Sequence, residues 1–338
     1  MIHLVQIGNG SSRRVALVEE PNLRCLSDIQ SVYDLAQRCL LNGNQLSQQV
    51  LALAHGELLP YDSIYAGKSE WHLMPPIDVP HVPSRLMISG TGLTHLGSAK
   101  DRQAMHANST PKVDEVMTDS MRMFQWGVEG GRPSKGEIGI APEWFYKGNG
   151  SILKAPFAPL AIPAHAEDGG EEAELAGVYI VGNDGQPYRI GITAGNEFSD
   201  HCFEKRNYLN LAGSKLRNCS LGPELVIGGN FQSINGEVRI EREAKTIWSK
   251  AIATGEENMC HSLANLEHHH FKFEGHRQPG DVHVHFFGAH SLSFGEGIVL
   301  KDGDWMEVHY EGFGRALRNP VYVEKSQGTK LVTVHSIE

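Results

Sequence analysis

Residues 171–197 read EEAELAGVYIVGNDGQPYRIGITAGNE, and this stretch decides the fold of the chain. The apolar run at residues 175–181 is short and rich in β-forming residues, which predicts a strand. Turn residues follow at 183–186, and residues 188–194 predict the returning strand of a hairpin. A turn centred between Asp184 and Gly185 would pair Glu172 directly with Glu197.

The predicted hairpin brings Glu172, Glu174 and Glu197 to one face, because side chains two residues apart on a strand share a face. Three carboxylates on one patch repel each other and destabilise a sheet. A bound divalent cation removes this conflict, and an all-oxygen site suits Mg²⁺, Mn²⁺ or Ca²⁺ rather than zinc. The alternative is a hairpin whose acidic side chains face water, as most charged residues do. The register match favours the metal site.

Length and composition describe an ordinary globular protein. The 338 residues suffice for one large domain or for a large and a small one, and the formal charge of −10 argues against nucleic acid or an anionic membrane as partner. The five cysteines are scattered, without a Cys-x-x-Cys pair, which favours a reducing compartment. No apolar run approaches the roughly 20 residues that span a bilayer, and the N-terminus lacks the order of a signal peptide. We therefore expect a cytoplasmic protein.

Two units are predicted along the chain. Residues 1–84 combine two short strands with two segments of helical periodicity and form a small N-terminal domain. The proline-rich residues 75–83 form an extended connector, and residues 85–338 form the second, larger domain. Within it, residues 244–252 and 262–267 have helical periodicity.

Histidines are abundant in the C-terminal half, where His268, His269 and His270 precede the alternating pair His283 and His285. Histidines two residues apart on a strand share a face, so a zinc or iron site has to be considered. Since no carboxylate follows at a suitable spacing, we predict that these histidines do not bind the catalytic metal.

Other polar residues are weaker candidates when taken singly. His95 ends a glycine-rich turn after a predicted strand, a place where functional side chains are often presented. Lys147 and Ser151 could line a pocket for an anionic ligand, although a surface loop is equally consistent with the pattern. Lys215 lies between two apolar stretches, where partial burial would let it stabilise an enolate or act as a base.

Four segments in order carry a resemblance to the fumarylacetoacetate hydrolase superfamily: residues 147–152, 171–175, 214–223 and 311–321, the last reading EGFGRALRNPV. The resemblance implies an α+β, mostly β fold with a rolled mixed β-sheet core, a small N-terminal α/β domain and a homodimer. It implies that Glu172, Glu174 and Glu197 bind Mg²⁺ or Mn²⁺ and that Lys215 is the catalytic lysine.

The chain departs from the hydrolases of this superfamily at three places. Glu197 replaces the usual aspartate, Ser98 stands where a glutamate would support His95, and the sequence Gly-Ala-His ending at His290 replaces a Gly-Thr-Pro loop. The surroundings of Lys215 are instead similar to the branch that dehydrates 2-keto-3-deoxy sugar acids.

We therefore expect a lyase of bacterial sugar-acid catabolism that acts on a small 2-oxo acid. Its catalytic residues would be Lys215 and His95, and its substrate-binding residues Lys147, Ser151 and His290. The alternatives are a C–C hydrolase of an acylpyruvate or diketo acid, with His95 activating water, and a non-catalytic protein that binds a sugar acid through the same metal.

Overall fold

The computed structural model describes residues 1–99, 118–325 and 331–337. The strands are β1 (Ile2–Asn9), β2 (Ser12–Glu19), β3 (Asn22–Cys25), β4 (Leu58–Pro60), β5 (His72–Leu73), β6 (Leu86–Gly90), β7 (Phe145–Asn149), β8 (Leu153–Lys154), β9 (Leu160–Ile162), β10 (Ala173–Val181), β11 (Pro187–Asn196), β12 (Cys219–Ile227), β13 (Ile234–Arg242), β14 (Lys245–Thr254), β15 (Val282–Phe286), β16 (Trp305–Tyr310) and β17 (Leu317–Val323). The helices are α1 (Val32–Asn42), α2 (Leu46–Leu53), α3 (Tyr61–Tyr65), α4 (Asp119–Gly130), α5 (His201–Arg206), α6 (Leu211–Ser214) and α7 (Leu263–Phe271). Within these described residues, no helix is long and apolar enough to cross a membrane.

Two mixed sheets form the framework. The larger has the order β4-β3-β2-β1-β12-β11-β10-β15-β6-β7, with β5 beside β1 and β8 beside β12, and the smaller has the order β14-β13-β16-β17-β9. Most neighbours are antiparallel, whereas β15 and β6 run parallel, as do β12 and β8, and β17 and β9. One apolar core is shared by the small sheet and one face of β10 and β11, and a second covers the other face of the large sheet. The predicted α+β, mostly β fold is confirmed.

The N-terminal strands continue the central sheet. Strand β1 pairs with β12, with Leu4 opposite Leu225, and both side chains are buried in one apolar core. A separate apolar cluster around Tyr61 and Trp71 lies within the first 84 residues. The boundary near residue 84 stays a prediction.

The predicted helix at residues 244–252 is wrong, because these residues form strand β14. Buried Trp248 and Ile252 lie four residues apart, which imitates the spacing of a helix. The hairpin that pairs β13 with β14 turns at Glu243 and Ala244, both with positive φ angles of 52° and 59°. Such a turn is usually signalled by Asn-Gly or Asp-Gly, and neither is present here.

The β10–β11 hairpin has the predicted pairing at the end next to Glu172 and Glu197, although its turn differs from the prediction. Next to the turn, Val181 pairs with Pro187, one position away from the register of a turn centred between Asp184 and Gly185. An irregularity in the ladder after Val178 restores the predicted register, so that Glu174 faces Gly195. The bulge therefore compensates for the different turn.

Candidate metal centre

Three buried glutamates converge where the β10–β11 hairpin ends. Glu174 lies on β10, and Glu172 and Glu197 lie just outside the two strands, joined by a backbone hydrogen bond of 2.9 Å from Glu197 N to Glu172 O. One carboxylate oxygen from each of the three lies within 4.8 Å of the others. All three side chains are at most 5% exposed, so these carboxylates do not face water.

Lys215 directly follows α6 and reaches two of these carboxylates. Its Nζ donates to Glu172 Oε1 and to Glu197 Oε2, each at 2.5 Å. The ammonium group lies 4.7 Å from the centre of the Phe145 ring, and the side chain is fully buried. The lysine predicted to be partly desolvated is therefore in direct contact with the glutamate cluster.

Lys147 is buried in the same cluster rather than exposed in a loop. Its Nζ lies 2.5 Å from Glu197 Oε1 and donates to the backbone oxygens of Phe198 at 2.7 Å and Lys215 at 3.0 Å. Burial lowers the pKa of Lys147, against the opposing effect of Glu197. These contacts are all with protein groups, so a direct bond from Lys147 to a substrate stays a prediction.

His201 belongs to the cluster, and the sequence analysis missed it. At the start of α5, its Nε2 donates to Glu172 Oε1 at 2.9 Å, and its ring packs against Phe294 at a centroid distance of 5.2 Å. Gly170 makes room for this ring, because a Cβ there would lie 2.2 Å from Nδ1. No motif signals this residue, since its partner lies 29 positions away in the sequence.

The carboxyl groups differ in pKa because their neighbours differ. Burial raises the pKa of Glu172, but the Lys215 charge and the His201 hydrogen bond outweigh it and hold that pKa well below its usual value. Burial, followed by the charges of Glu172 and Glu197, raises the pKa of Glu174 well above the usual value. Burial and the charge of Glu172 raise the pKa of Glu197 to about 7.

The donor set fits a hard divalent cation. Three carboxylates at one buried point supply only oxygen ligands, which is the preference of Mg²⁺, Mn²⁺ and Ca²⁺. Glu174 Oε2 is already oriented by the backbone N–H of Gly288 at 2.7 Å. Burial, followed by the charges of Glu172 and Glu197, raises the pKa of Glu174, and a cation at this point would oppose these effects.

His95 follows Thr94, which is bonded to Phe287. The next residue, Gly288, donates its N–H to Glu174. Thr94 donates its hydroxyl to Phe287 O at 2.7 Å, so the same hydroxyl accepts from His95 Nδ1 at 2.9 Å. His95 Nε2 then accepts from Thr254 Oγ1 at 3.1 Å. Burial, with a smaller effect of His290, lowers the pKa of His95 to about 3. A catalytic role for this neutral, buried histidine stays a prediction.

The two remaining predicted contacts lie in different places. Ser151 is exposed, and its backbone N–H donates to Asn149 Oδ1 at 2.9 Å. His290 is half-buried, with its ring 5.8 Å from the ring of His95. The substrate-binding roles of Ser151 and His290 stay predictions.

His270, His283 and His285 form a separate buried cluster, whereas His268 is exposed. His270 Nδ1 accepts the indole N–H of Trp144 at 3.2 Å, so its Nε2 carries the proton that is donated to His283 Nδ1 at 2.9 Å. His285 contacts the hydroxyls of Ser89 and Thr91 at 2.9 and 2.8 Å. Protein groups thus contact both ring nitrogens of His270 and of His285, whereas His283 Nε2 is buried without a hydrogen-bond partner among the described residues. That these histidines do not bind the catalytic metal stays a prediction.

Comparison with protein-family models gave no match, and no curated protein matched the chain. Solved structures do match. A 2-keto-3-deoxy-D-arabinonate dehydratase, in a complex with magnesium and 2,5-dioxopentanoate, is 17% identical with a TM-score of 0.69 and covers 96% of this chain and 100% of its own. A fumarylacetoacetate hydrolase from Exiguobacterium antarcticum is 17% identical with a TM-score of 0.59, covering 96% of this chain and 100% of its own. A 5-carboxymethyl-2-hydroxymuconate delta-isomerase from Mycobacterium smegmatis is 16% identical with a TM-score of 0.56, covering 95% and 100%.

These structural similarities extend over nearly the whole chain. At sequence identities of 16–17%, they show a shared fold. The chain has the fold of the fumarylacetoacetate hydrolase superfamily, as the resemblance implied.

Proposed function

We propose that this protein is a metal-dependent lyase that removes water from a 2-keto-3-deoxy sugar acid. The observation that carries the proposal is the double contact of Lys215 Nζ, at 2.5 Å, with Glu172 and Glu197. The matching dehydratase, whose structure contains magnesium and 2,5-dioxopentanoate, supports the choice of cation and of substrate class.

The first step of the proposed reaction is the removal of a proton from C3 of the substrate. Glu172, Glu174 and Glu197 would hold a Mg²⁺ or Mn²⁺ ion, and when bound that ion would supply the Lewis acidity that makes C3 of a 2-oxo acid more acidic. Lys215 lies between two of these carboxylates, and once its ammonium form has given a proton to water, the neutral amine would accept the C3 proton. The C4 hydroxyl would take up a proton from water and leave as a water molecule, while the electron pair of the broken C3–H bond forms the C3–C4 double bond.

A second candidate function is C–C hydrolysis of an acylpyruvate or diketo acid, which the matching hydrolase supports. The surroundings of His95 favour it less. Both ring nitrogens are bonded to threonine hydroxyls, and Ser98 donates to the backbone oxygen of His95 rather than to its ring. A hydrolase needs a base that is free to activate water, whereas elimination needs proton removal at C3.

The test is mass spectrometry of products after incubation with 2-keto-3-deoxypentonates, 2-keto-3-deoxyhexonates and acylpyruvates, with Mg²⁺ or Mn²⁺ present. Loss of one water from a sugar acid supports the lyase, and we expect Lys215→Met to abolish turnover while Lys301→Met, at an exposed lysine, retains it. His95→Asn should reduce turnover less than Lys215→Met. Release of pyruvate from an acylpyruvate, without activity on sugar acids, would establish the hydrolase instead. Binding of sugar acids without any turnover would establish the non-catalytic alternative.

The proposal extends to the assembly and location of the protein. We propose a cytoplasmic homodimer of bacterial sugar-acid catabolism, as the resemblance implies. Light scattering of the purified protein, which distinguishes one chain of 37.2 kDa from two, tests the dimer.

A further inference from the structure

Arg217 forms a buried ion pair that lies outside the three converging glutamates. Its Nη2 donates to Asp200 Oδ2 at 3.0 Å, and both side chains are 5% exposed. Its Nη1 donates to the backbone oxygen of Asp168 at 2.7 Å. Asp200 directly precedes His201 in the sequence. Arg217 itself lies two positions after Lys215, so the ion pair joins the segments that carry these two residues.

Both partners of this arginine hold the start of α5. Asp200 Oδ1 accepts from the backbone N–H of Phe203 at 2.9 Å. Asp168 Oδ1 accepts from the backbone N–H of Cys202 at 3.2 Å. The first N–H groups of a helix have no partner within the helix, and nearby carboxylates commonly satisfy them. Because His201 is the first residue of α5, these contacts also fix the backbone from which its side chain starts.

His201 and Lys215 converge on one oxygen atom. Glu172 Oε1 accepts from His201 Nε2 at 2.9 Å and from Lys215 Nζ at 2.5 Å. The backbone N–H of Asp200 donates to Ser214 O at 3.1 Å, which joins the same two segments a second time. The position of both donors on Glu172 therefore depends on how firmly these segments are joined.

Stability alone does not account for the ion pair. Desolvation of two buried charges offsets much of their attraction, so a buried ion pair contributes little net stability. The guanidinium group instead supplies geometry, because its planar fork bonds Asp200 and Asp168 in fixed directions. The start of α5 is thereby fixed relative to the residues around Lys215.

We propose that the Arg217–Asp200 ion pair raises the affinity for the metal, because it holds both donors on one oxygen of Glu172. Arg217 and Asp200 are thus positioning residues that act through His201 and Lys215. This inference rests on the proposed function, in which Glu172 is a ligand of the divalent cation. Loss of a group that orients a metal ligand typically costs about 10–100-fold in metal affinity.

The first arm of the test measures the contact without metal. In the full-length protein, Arg217→Met removes both bonds of the guanidinium, and amide hydrogen exchange of residues 201–206 should accelerate about tenfold. Arg217→Lys keeps a buried cation but cannot bond Asp168 and Asp200 with one fork, so exchange should accelerate about threefold. If Arg217→Met does not fold, Arg217→Lys carries both arms of the test. Exchange at the wild-type rate in the folded variants would overturn the inference.

The second arm is calorimetric titration of the same proteins with Mg²⁺. Arg217→Met and Asp200→Asn should each weaken Mg²⁺ binding about tenfold, and Arg217→Lys about threefold. The matched control is Arg242→Met, which breaks the ion pair with another buried carboxylate, Asp304, whose two bonds to the arginine are 2.8 Å long. This control should lower the free energy of unfolding but bind Mg²⁺ within about twofold of wild type. Wild-type affinity in the folded Arg217 variants, or an equal weakening in Arg242→Met, would overturn the inference.

A double variant tests whether Arg217 acts through His201. His201→Ala removes the hydrogen bond to Glu172, after which Arg217 has one donor fewer to position. The double variant His201→Ala/Arg217→Met should therefore lose less Mg²⁺ affinity than the product of the two separate losses. Losses that multiply would show that Arg217 acts independently of His201 and would overturn the positioning role.

Failure of this inference can be told from failure of the proposed function. Wild-type protein that binds no Mg²⁺ would overturn the proposed function and the effect on metal affinity together. Hydrogen exchange, which needs no metal, would still decide whether Arg217 holds α5. Mg²⁺ binding by wild type, with the same affinity in the folded Arg217 variants, would overturn the inference alone.

Discussion

Lys215 is the residue that joins two of the three converging glutamates. Two buried carboxylates lose their water on folding, and the ammonium group of Lys215 takes the place of that water. Its hydrogen bonds of 2.5 Å to Glu172 and Glu197 are charge-assisted. With Lys147 on the other oxygen of Glu197, two lysines oppose three glutamates. Burial and the charges of Glu172 and Glu197 still raise the pKa of Glu174 well above its usual value, so a cation at this point would stabilise the charged form of Glu174.

At this scale, the sequence indicates the residues that lie on one hairpin, but it does not indicate the contacts that residues from other elements make with them. Glu172, Glu174 and Glu197 follow from strand periodicity and register. His201 contacts Glu172 because α5 packs back on the hairpin, and the contact leaves no local signal. Lys147 is likewise buried by a tertiary contact, which its loop-like sequence does not indicate.

His201 is predicted to set the affinity for the metal by orienting Glu172. Removing the 2.9 Å hydrogen bond in His201→Ala should weaken Mg²⁺ binding by about tenfold or more, as is typical when a partner of a metal ligand is lost. His201→Gln retains an N–H donor and should recover part of the affinity. Calorimetric titration measures both variants, and unchanged affinity in His201→Ala would show that Glu172 needs no such support.

Comparison of two hairpins shows which features of a strand pair the sequence pattern predicts and which it does not. The β10–β11 hairpin has turn residues and apolar strands, and its bulge compensates for the shifted turn. The β13–β14 hairpin turns through Glu243 and Ala244, which carry no turn signal, so its second strand was predicted as a helix. Turn geometry imposed by the tertiary fold is thus the information that the sequence pattern lacks.

His285, a buried residue of strand β15, should make the stability of the protein sensitive to acid. Burial, and then the charges of His283 and His276, lower the pKa of His285 to about 3, whereas an unfolded histidine has a pKa near 6.5. The unfolded state therefore takes up a proton below about pH 6.5 that the folded state refuses, and stability falls as the pH decreases towards 3. For one such histidine the loss at pH 5 is roughly 2 kcal/mol relative to pH 8.

Denaturant unfolding at pH 8 and pH 5 checks this expectation. His285→Gln should be less sensitive to acid than wild type by about that amount, since one titrating group is gone. His309→Gln, at an exposed position of β16, is the matched control and should keep the wild-type pH dependence. Equal pH dependence in wild type and His285→Gln would contradict the assignment of a neutral, buried ring.

For the whole molecule, three distant parts of the chain meet at Glu224, one of them the turn that contains Gly314 and Arg315. This buried carboxylate accepts from Tyr61 at 3.0 Å, from His3 at 2.7 Å and from the backbone N–H of Arg315 at 3.1 Å. The Arg315 guanidinium lies 3.8 Å from the centre of the Tyr61 ring. The N-terminal residues, the central strand β12 and the turn that contains Arg315 thus meet at one polar point.

Gly314 should be the most sensitive position of that turn. Its φ of +79° disfavours a side chain, and a Cβ would lie 2.0 Å from the Glu224 carboxyl carbon. Gly314→Ala should therefore lower the free energy of unfolding by roughly 2–4 kcal/mol, combining backbone strain with overpacking. Gly312 has the same φ of +79° but open space around it, so Gly312→Ala should cost only about 1 kcal/mol. Equal losses in the two variants, by denaturant unfolding, would rule out the contact with Glu224 as the cause.

The central claim is that Glu172, Glu174 and Glu197 hold one divalent cation, and calorimetric titration of the full chain with Mg²⁺ tests it most directly. We predict one ion for each chain, and binding at least about tenfold weaker in Glu174→Gln, equivalent to roughly 1.4 kcal/mol or more. Glu296→Gln, at an exposed glutamate paired with Lys250, should bind as wild type does. Unchanged Mg²⁺ affinity in Glu174→Gln would contradict the account.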